Sequence, residues 1–112
     1  MAYEFEGRTI ATTASGYLED HSEWSEALAA HIAALESIEL TPRHWDVMNY
    51  LREEYFDNGE TQPNTRTIMK AMSDKWGEKV EQRVLYDLFP LDPSKQAGRI
   101  AGLPESRRKG GY

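Results

Sequence analysis

The sequence has 112 residues, no cysteine, and 19 acidic against 13 basic side chains, which gives a formal net charge of −6. This length fits one domain with a single core, and 39% hydrophobic with 29% charged residues is a globular rather than a disordered balance. Without cysteine, disulfides, thiolate metal sites and thiol chemistry are excluded. We read no membrane span and no signal peptide, and therefore expect a cytoplasmic protein.

The charge is unevenly distributed along the chain. Residues 1–93 carry 8 Lys/Arg against 18 Asp/Glu, whereas residues 94–112 carry 5 basic groups against Glu105. The basic groups of this C-terminal part are Lys95, Arg99, Arg107, Arg108 and Lys109. Two interpretations stay open: a solvated tail that eases self-repulsion, or an arm that steers the chain toward a negatively charged partner surface.

The N-terminal stretch YEFEGRTI predicts a β-hairpin over roughly residues 3–12, because aromatic and acidic residues alternate ahead of Gly7. A first helix is predicted from about Ser22 to Glu36, since apolar side chains recur there at helical spacing. Its buried stripe would consist of Trp24, Leu28, Ile32 and Leu35.

The stretch LTPRHWDVMNYLREEYFDNG gives the clearest helical pattern. Thr41 can cap this second helix, and Pro42 suits its first turn because a proline lacks the N–H that would be unpaired there. Asn58-Gly59 would end it. Its buried face would consist of Trp45, Met48, Leu51 and Tyr55.

Three further helices are predicted after this point. The third runs from Pro63 to Trp76 and ends at Gly77, and the fourth covers about residues 79–89 ahead of Pro90. The short fifth helix begins with Asp92 as cap and Pro93 at its first position, and Gly102 closes it. The prediction is a mainly α fold: an orthogonal bundle of about five helices with a small N-terminal β-hairpin, over residues 1–104. Residues 105–112 would form a flexible basic arm.

No constellation of catalytic or metal-ligating residues is readable in the sequence. The imidazoles His21, His31 and His44 belong to no HExxH or similar motif, and packing or capping explains His31 and His44 more simply. Glu53 and Glu54 are adjacent, so a helix would point their side chains about 100° apart. They are therefore poorly placed to act as a pair in acid–base catalysis. We find no GxSxG elbow, P-loop or GxGxxG cradle, and therefore expect no metal and no cofactor.

A DNA-binding alternative remains open at this point. The third and fourth predicted helices, joined at Gly77, could form a helix-turn-helix pair. The second helix of that pair would offer Lys79 and Arg83 to DNA, but Glu81 and Asp87 cancel their charge. Only the C-terminal segment is basic, so nucleic acid binding is weakly supported.

Several motifs resemble the DsrC/TusE family of sulfur-relay proteins, also described as gamma-subunit-like partners of dissimilatory sulfite reductase. The resemblance rests on GYLED, LTPRHWDVMNYLREEYFDNG, KAM, YDLFP and KQAGRIAGLP, and it extends over nearly the whole chain. It implies an orthogonal helical bundle with a hairpin and a C-terminal arm. It further implies sulfur carried on a cysteine next to the last residue of the arm, serving sulfite reductase or tRNA thiolation. DsrC-type members add an inner cysteine in a KQACR-like helix.

The sequence departs from the family at both cysteine positions. The inner position is Gly98 and the penultimate residue is Gly111; counting forward from GLP instead reaches Lys109. The segment ESRRKGGY differs from the family's KPxxCx along its whole length, which argues against simple replacement of cysteines by mutation. A persulfide needs a thiolate, so this chain should not itself carry sulfur.

We therefore expect a non-catalytic binding or regulatory partner in sulfur metabolism, docking on a sulfite reductase or a sulfur-transfer complex. The expected contact residues are Lys95, Arg99, Arg107, Arg108, Lys109 and Gly111. The alternatives are a transcriptional regulator that binds DNA through the helix-turn-helix-like pair and the basic arm, and a sulfur carrier as the family label would have it.

Overall fold

A computed structural model describes residues 2–105. An N-terminal hairpin pairs β1 (Ala2–Phe5) with β2 (Arg8–Ala11) in antiparallel register, Tyr3 opposite Ile10. Glu6 and Gly7 form its two-residue turn, and both have positive φ angles, 50° and 76°. Such a turn matches the right-handed twist of the strands that it joins. The predicted hairpin is confirmed.

Five α-helices follow within the described residues. They are α1 (Glu26–Leu35), α2 (Pro42–Phe56), α3 (Thr65–Trp76), α4 (Gln82–Leu88) and α5 (Pro93–Ile100), with a 3₁₀ turn at His21–Glu23 before α1. The predicted fold class is confirmed. The caps agree with the sequence: Thr41 precedes α2, Gly77 ends α3 in the left-handed conformation, and the Asp92 side chain accepts from the Lys95 N–H at 3.2 Å.

The first helix differs from its prediction. It begins at Glu26 because the Ser25 side chain accepts from the Leu28 N–H at 3.0 Å and caps it there. Trp24 therefore precedes the helix instead of lying on its buried stripe. Leu35, predicted to be buried, is 61% exposed. Ala29 and Ala33 are fully buried in its place, since the inward face is rotated toward these small residues.

The starts of two other helices are also later than predicted. The third begins at Thr65 because Asn64 caps it, with its side chain accepting from the Thr67 N–H at 2.9 Å. The fourth begins at Gln82, after the stretch that contains buried Val80. At the fourth helix the apolar spacing begins before the helix itself, because Val80 in the preceding loop also packs on the core.

One hydrophobic core joins the helices, and α5 lies in the middle of it. Eight of its neighbours in the core are large and fully or almost fully buried: Leu28, Ile32, Val47, Met48, Leu51, Ile68, Leu85 and Phe89. From α5 itself, Ala97 and Ile100 are fully buried. The last helix is therefore a central element whose two ends are held by the rest of the fold.

Candidate functional site

The start of α5 is fixed by contacts with distant parts of the chain. The Ser94 hydroxyl donates to the Pro63 carbonyl at 2.9 Å, and the Tyr17 hydroxyl donates to the Lys95 carbonyl at 3.3 Å. Burial raises the pKa of Tyr17, with the nearby Arg99 charge opposing that shift. Tyr17 therefore stays protonated at neutral pH and keeps its donor function.

Glu36, at the end of α1, holds the outer face of α5. Arg99 donates to both carboxylate oxygens of Glu36, from Nε at 3.0 Å and from Nη2 at 2.6 Å, and Gln96 Nε2 donates to Oε1 at 2.6 Å. The side chains of Arg99 and Glu36 are only 19% and 18% exposed. Burial would lower the pKa of Arg99, but the hydrogen bonds to Glu36 and the attraction of its negative charge raise that pKa overall. Arg99 is thus fixed in an internal ion pair whose charge is balanced.

Gly98 occupies the position at which the resemblance implies an inner cysteine. It lines a small cleft, with a volume of about 20 Å³, formed together with Tyr17, Pro63 and Pro104 among others. A Cβ atom built on Gly98 would meet nothing within 4 Å. The position therefore has room for a side chain, but it offers no reactive group.

The end of α5 is a glycine-based helix cap. Gly102 has a φ of 80°, the Leu103 N–H donates to the Gly98 carbonyl at 2.9 Å, and the Gly102 N–H donates to the Arg99 carbonyl at 3.2 Å. This is the Schellman arrangement, which satisfies two of the carbonyls that a helix end leaves unpaired. The carbonyls of Ile100 and Ala101 remain to be satisfied by other donors.

Side chains from other elements supply those donors. Trp24 Nε1 donates to the Ile100 carbonyl at 2.9 Å, and Arg52 Nη1 donates to the Ala101 carbonyl at 2.7 Å. Gln62 Nε2 donates to the Pro104 carbonyl at 2.9 Å. We call Trp24, Arg52 and Gln62 the carbonyl clamp, and residues 100–104 the arm root. Three side chains from distant parts of the chain thus hold the last described residues against the domain.

Arg52 is the centre of the clamp. Its guanidinium lies 3.8 Å from the Trp24 ring centroid and 4.8 Å from that of Phe56, so it is stacked on aromatic faces. Burial lowers the pKa of Arg52 from its very high ordinary value, and the group remains a cation at neutral pH. Among residues 2–105 it forms no ion pair, so its charge is directed at the carbonyl end of α5.

The predicted contact residues are not gathered into one site. Lys95 borders the Gly98 cleft, Arg99 is paired with Glu36, and their part in partner binding stays a prediction. Arg107, Arg108, Lys109 and Gly111 lie outside the described residues, as does most of the predicted arm. Sequence reasoning missed the clamp residues Trp24, Arg52 and Gln62, because their partners are distant in the chain.

The histidines are explained by structure. His44 is nearly buried; its Nδ1 accepts from the Thr41 N–H at 3.0 Å and its Nε2 donates to the Leu88 carbonyl at 2.8 Å. His31 packs on Phe5, with ring centroids 5.2 Å apart. Capping and packing are thus confirmed for these two. Within residues 2–105, no group of three His, Asp or Glu side chains could hold a metal ion.

Two further features bear on the kind of partner. On α4, the helix that the DNA-binding alternative would place on DNA, Arg83 Nε lies 3.3 Å from a carboxylate oxygen of Glu81. That alternative gains no support from the structure. No helix in the part of the chain that the structure describes is long and apolar enough to cross a membrane.

The fold defines the class of protein: a small helical bundle with an N-terminal hairpin, in which the C-terminal segment follows a buried last helix. A family profile described as DsrC like protein matches residues 4–108, and this chain belongs to that DsrC/TusE family. Sulfurtransferase TusE of Pectobacterium atrosepticum is 52% identical over 103 residues, 91% of this chain and 94% of the relative. Sulfurtransferase TusE of Escherichia coli K12 is 49% identical over 102 residues, 90% and 93% of the two chains.

Solved structures agree with this assignment. The NMR structure of Allochromatium vinosum DsrC superposes with a TM-score of 0.84 at 36% identity, over 97% of each chain. The crystal structure of the oxidized gamma-subunit of the dissimilatory sulfite reductase (DsrC) from Archaeoglobus fulgidus gives a TM-score of 0.85 at 30% identity, over 98% of this chain and 100% of the other. The predicted family is confirmed.

Proposed function

We propose that this chain is a non-catalytic member of its sulfur-relay family, which binds a protein partner of that relay through its C-terminal segment. The single observation that carries the proposal is the absence of cysteine from all 112 residues of a chain that otherwise retains the family's fold. Such a chain would compete with, or regulate, relatives that carry sulfur.

The chemical argument starts from the sulfur acceptor. A persulfide forms when a thiolate attacks the donor, and onward transfer needs a thiol or another acceptor to attack the outer sulfur. Gly98 and Gly111 have no side-chain heteroatom, and Lys109 offers an amine. No residue of this sequence can therefore take the role that the resemblance implies for cysteine.

The names of the relatives favour a different function. Two relatives near 50% identity are called sulfurtransferases, which agrees better with the sulfur-carrier alternative than with a non-catalytic partner. An added Cβ at Gly98 would meet nothing within 4 Å, so the fold could also accommodate a side chain at this position. Both readings place the chain among sulfur-relay proteins, and they differ only in whether it holds a covalent sulfur atom.

Intact mass spectrometry separates these two functions. After incubation with a persulfide donor, we expect no gain in mass by this chain. The matched control is Gly111→Cys, which supplies one thiol in the C-terminal segment and should gain the mass of one sulfur atom. A sulfur adduct on the cysteine-free chain would refute the proposal.

Partner binding is tested by affinity capture from the native host. We expect the full chain to retain sulfur-transfer proteins or sulfite reductase subunits, and a chain without residues 105–112 to lose them. A variant in which Arg107, Arg108 and Lys109 are all serine keeps the length and tests the charge alone. Equal capture by the full and the shortened chain would contradict the role of this segment.

The DNA-binding alternative has its own signature. Phosphate contacts would make affinity fall steeply with salt, with a slope set by the number of contacts. We expect no salt-dependent binding to duplex DNA, because the chain carries 13 basic against 19 acidic side chains and only its C-terminal segment is basic. A steep salt dependence at low ionic strength would support that alternative instead.

A further inference from the structure

The last carbonyls of α5 receive their hydrogen bonds from two different sources. The Schellman arrangement supplies the Gly98 and Arg99 carbonyls from the backbone of the arm root itself. The carbonyls of Ile100 and Ala101 receive theirs from Trp24 and Arg52, which are 76 and 49 residues away in the chain. At a solvent-exposed helix end, water can satisfy the carbonyls without ordering side chains from distant parts of the chain.

The clamp grips the arm root from three separate elements. Trp24 belongs to the loop before α1, Arg52 to α2 and Gln62 to the loop between α2 and α3. Their bonds reach three of the five carbonyls between Ile100 and Pro104. Because the donors approach from different elements, rotation of the root would break at least one bond.

Gly102 shows how closely the root is fitted. A Cβ atom at this position would lie 2.4 Å from Cδ1 and 2.5 Å from Cγ of Trp24, far inside van der Waals contact. The backbone of the root therefore lies directly against the indole ring of Trp24. The Arg52 guanidinium stacks on the same indole, 3.8 Å from its ring centroid. Root, indole and guanidinium form one packed unit.

We propose that Trp24, Arg52 and Gln62 are positioning residues, which set the direction in which the C-terminal segment leaves the domain and thereby present it to the partner. The part that concerns the partner rests on the proposed function above. The part that concerns direction does not, because it follows from the clamp alone.

The physical gain is preorganisation. A segment with a fixed root explores fewer directions before binding, so less orientational and backbone entropy is lost when a partner orders it. Arg52 suits this function because its planar guanidinium can stack on an indole and donate to a carbonyl simultaneously. Loss of the clamp should lower the affinity for the partner about three- to tenfold, although no direct contact with the partner is removed.

The direction of the segment can be measured without a partner. The chain has no cysteine, so Lys109→Cys accepts a single nitroxide label, and paramagnetic broadening of backbone amides reports which surface the label visits. We expect broadening on one side of the domain in the parent chain. Arg52→Met and Trp24→Phe should each spread it over a wider surface, since each removes one donor of the clamp.

Arg43→Met is the matched control, because Arg43 also stacks on a tryptophan, Trp76, at 4.3 Å, but away from the arm root. Its broadening pattern should equal that of the parent. Trp24→Phe keeps an aromatic ring and provides a second folded variant should Arg52→Met fail to fold. Unchanged broadening in a folded clamp variant would overturn the proposal, and so would a parent pattern already spread over the whole domain.

Affinity for a captured partner distinguishes this inference from the proposed function. Loss of binding on deletion of residues 105–112, with a three- to tenfold loss on Arg52→Met, supports both. A chain that binds no partner, yet shows the directional broadening and its loss in the clamp variants, would refute the proposed function and retain the positioning function.

Discussion

Two helix ends in this domain use similar side chains in different ways. At the start of α2, the Thr41 N–H and the His44 imidazole bond at 3.0 Å, three residues apart, and Arg43 stacks on Trp76. At the end of α5, Arg52 stacks on Trp24 and both side chains donate to helix carbonyls. The first end is closed chiefly by its own residues, whereas the second depends on residues far away in the chain.

The two arginines show what this difference means energetically. Arg43 forms an ion pair with Glu78, and their side chains are 46% and 53% exposed, so water and salt screen the pair. Arg52 forms no ion pair with a carboxylate among the described residues. Its half-buried side chain donates instead to the Ala101 carbonyl. The ion pair of Arg43 should therefore contribute little to stability, whereas Arg52 donates to a carbonyl of the arm root.

The largest expected effect is that of Gly102→Ala. The substitution places a methyl group against Trp24 and forces a non-glycine residue into a φ of 80°, which together should destabilise the fold by about 3 kcal/mol or more. Urea unfolding measures this change. Gly77→Ala is the control, because Gly77 also has positive φ but no atom within 4 Å of an added Cβ; equal losses would mean that the contact with Trp24 adds nothing.

Replacing the two arginines tests the comparison directly. Arg52→Met should cost about 1–3 kcal/mol, because a charged hydrogen bond to a carbonyl and an aromatic stack are lost together. Arg43→Met should cost no more than about 1 kcal/mol, as is usual for exposed pairs. Chemical denaturation of both variants in the same buffer gives the difference, and equal costs would abolish the distinction between the two helix ends.

The α2 end should respond to pH through His44. Burial lowers the pKa of His44 from its ordinary 6.5, with the bond to the Leu88 carbonyl opposing in part. The unfolded chain therefore binds a proton at higher pH than the folded chain does. This stabilising contribution is present above about pH 6.5 and is lost as pH falls below it.

His44→Gln should therefore flatten the fall in stability with decreasing pH below about 6.5. Urea midpoints measured at intervals through this range provide the test. His21→Gln, at an exposed position, is the control and should keep the slope of the parent chain. A parent slope that survives in His44→Gln would assign the pH dependence to other groups.

The smallest effect is expected at Gly98, and it has the opposite sign. Glycine in the interior of a helix is less favourable than alanine, and an added Cβ meets nothing within 4 Å here. Gly98→Ala should therefore stabilise the chain by about 0.5–1 kcal/mol. A loss of stability in urea unfolding would show that the cleft beside Gly98 is closed to a methyl group.

Much of the fold was predictable because its signals are local. Thr41 and Asp92 act within three residues of themselves, and Gly77 ends α3 through its own backbone angle. The hairpin follows from alternation around a glycine turn. Where apolar spacing continued into loops, as at Trp24 and Val80, the sequence predicted helices that begin too early.

The candidate site was less predictable. Basic side chains mark the C-terminal part of the sequence, but composition alone cannot distinguish Arg99, which is paired with Glu36, from a cation free to meet a partner. Arg52 lies in a helix rich in charge and carries no motif of its own. Gly102 was predicted only as a helix stop. The structure shows that Trp24 also leaves no room for a side chain at this position.

The sequence by itself determined the presence of five helices, the caps at Thr41, Gly77 and Asp92, the family and the lack of any thiol, because each depends on neighbouring residues or on residue type alone. Only the tertiary structure decided that Trp24, Arg52 and Gln62 meet at the end of α5. Hydrogen bonds between residues 42 to 76 positions apart leave no periodic trace in the chain, since they depend on how whole elements pack.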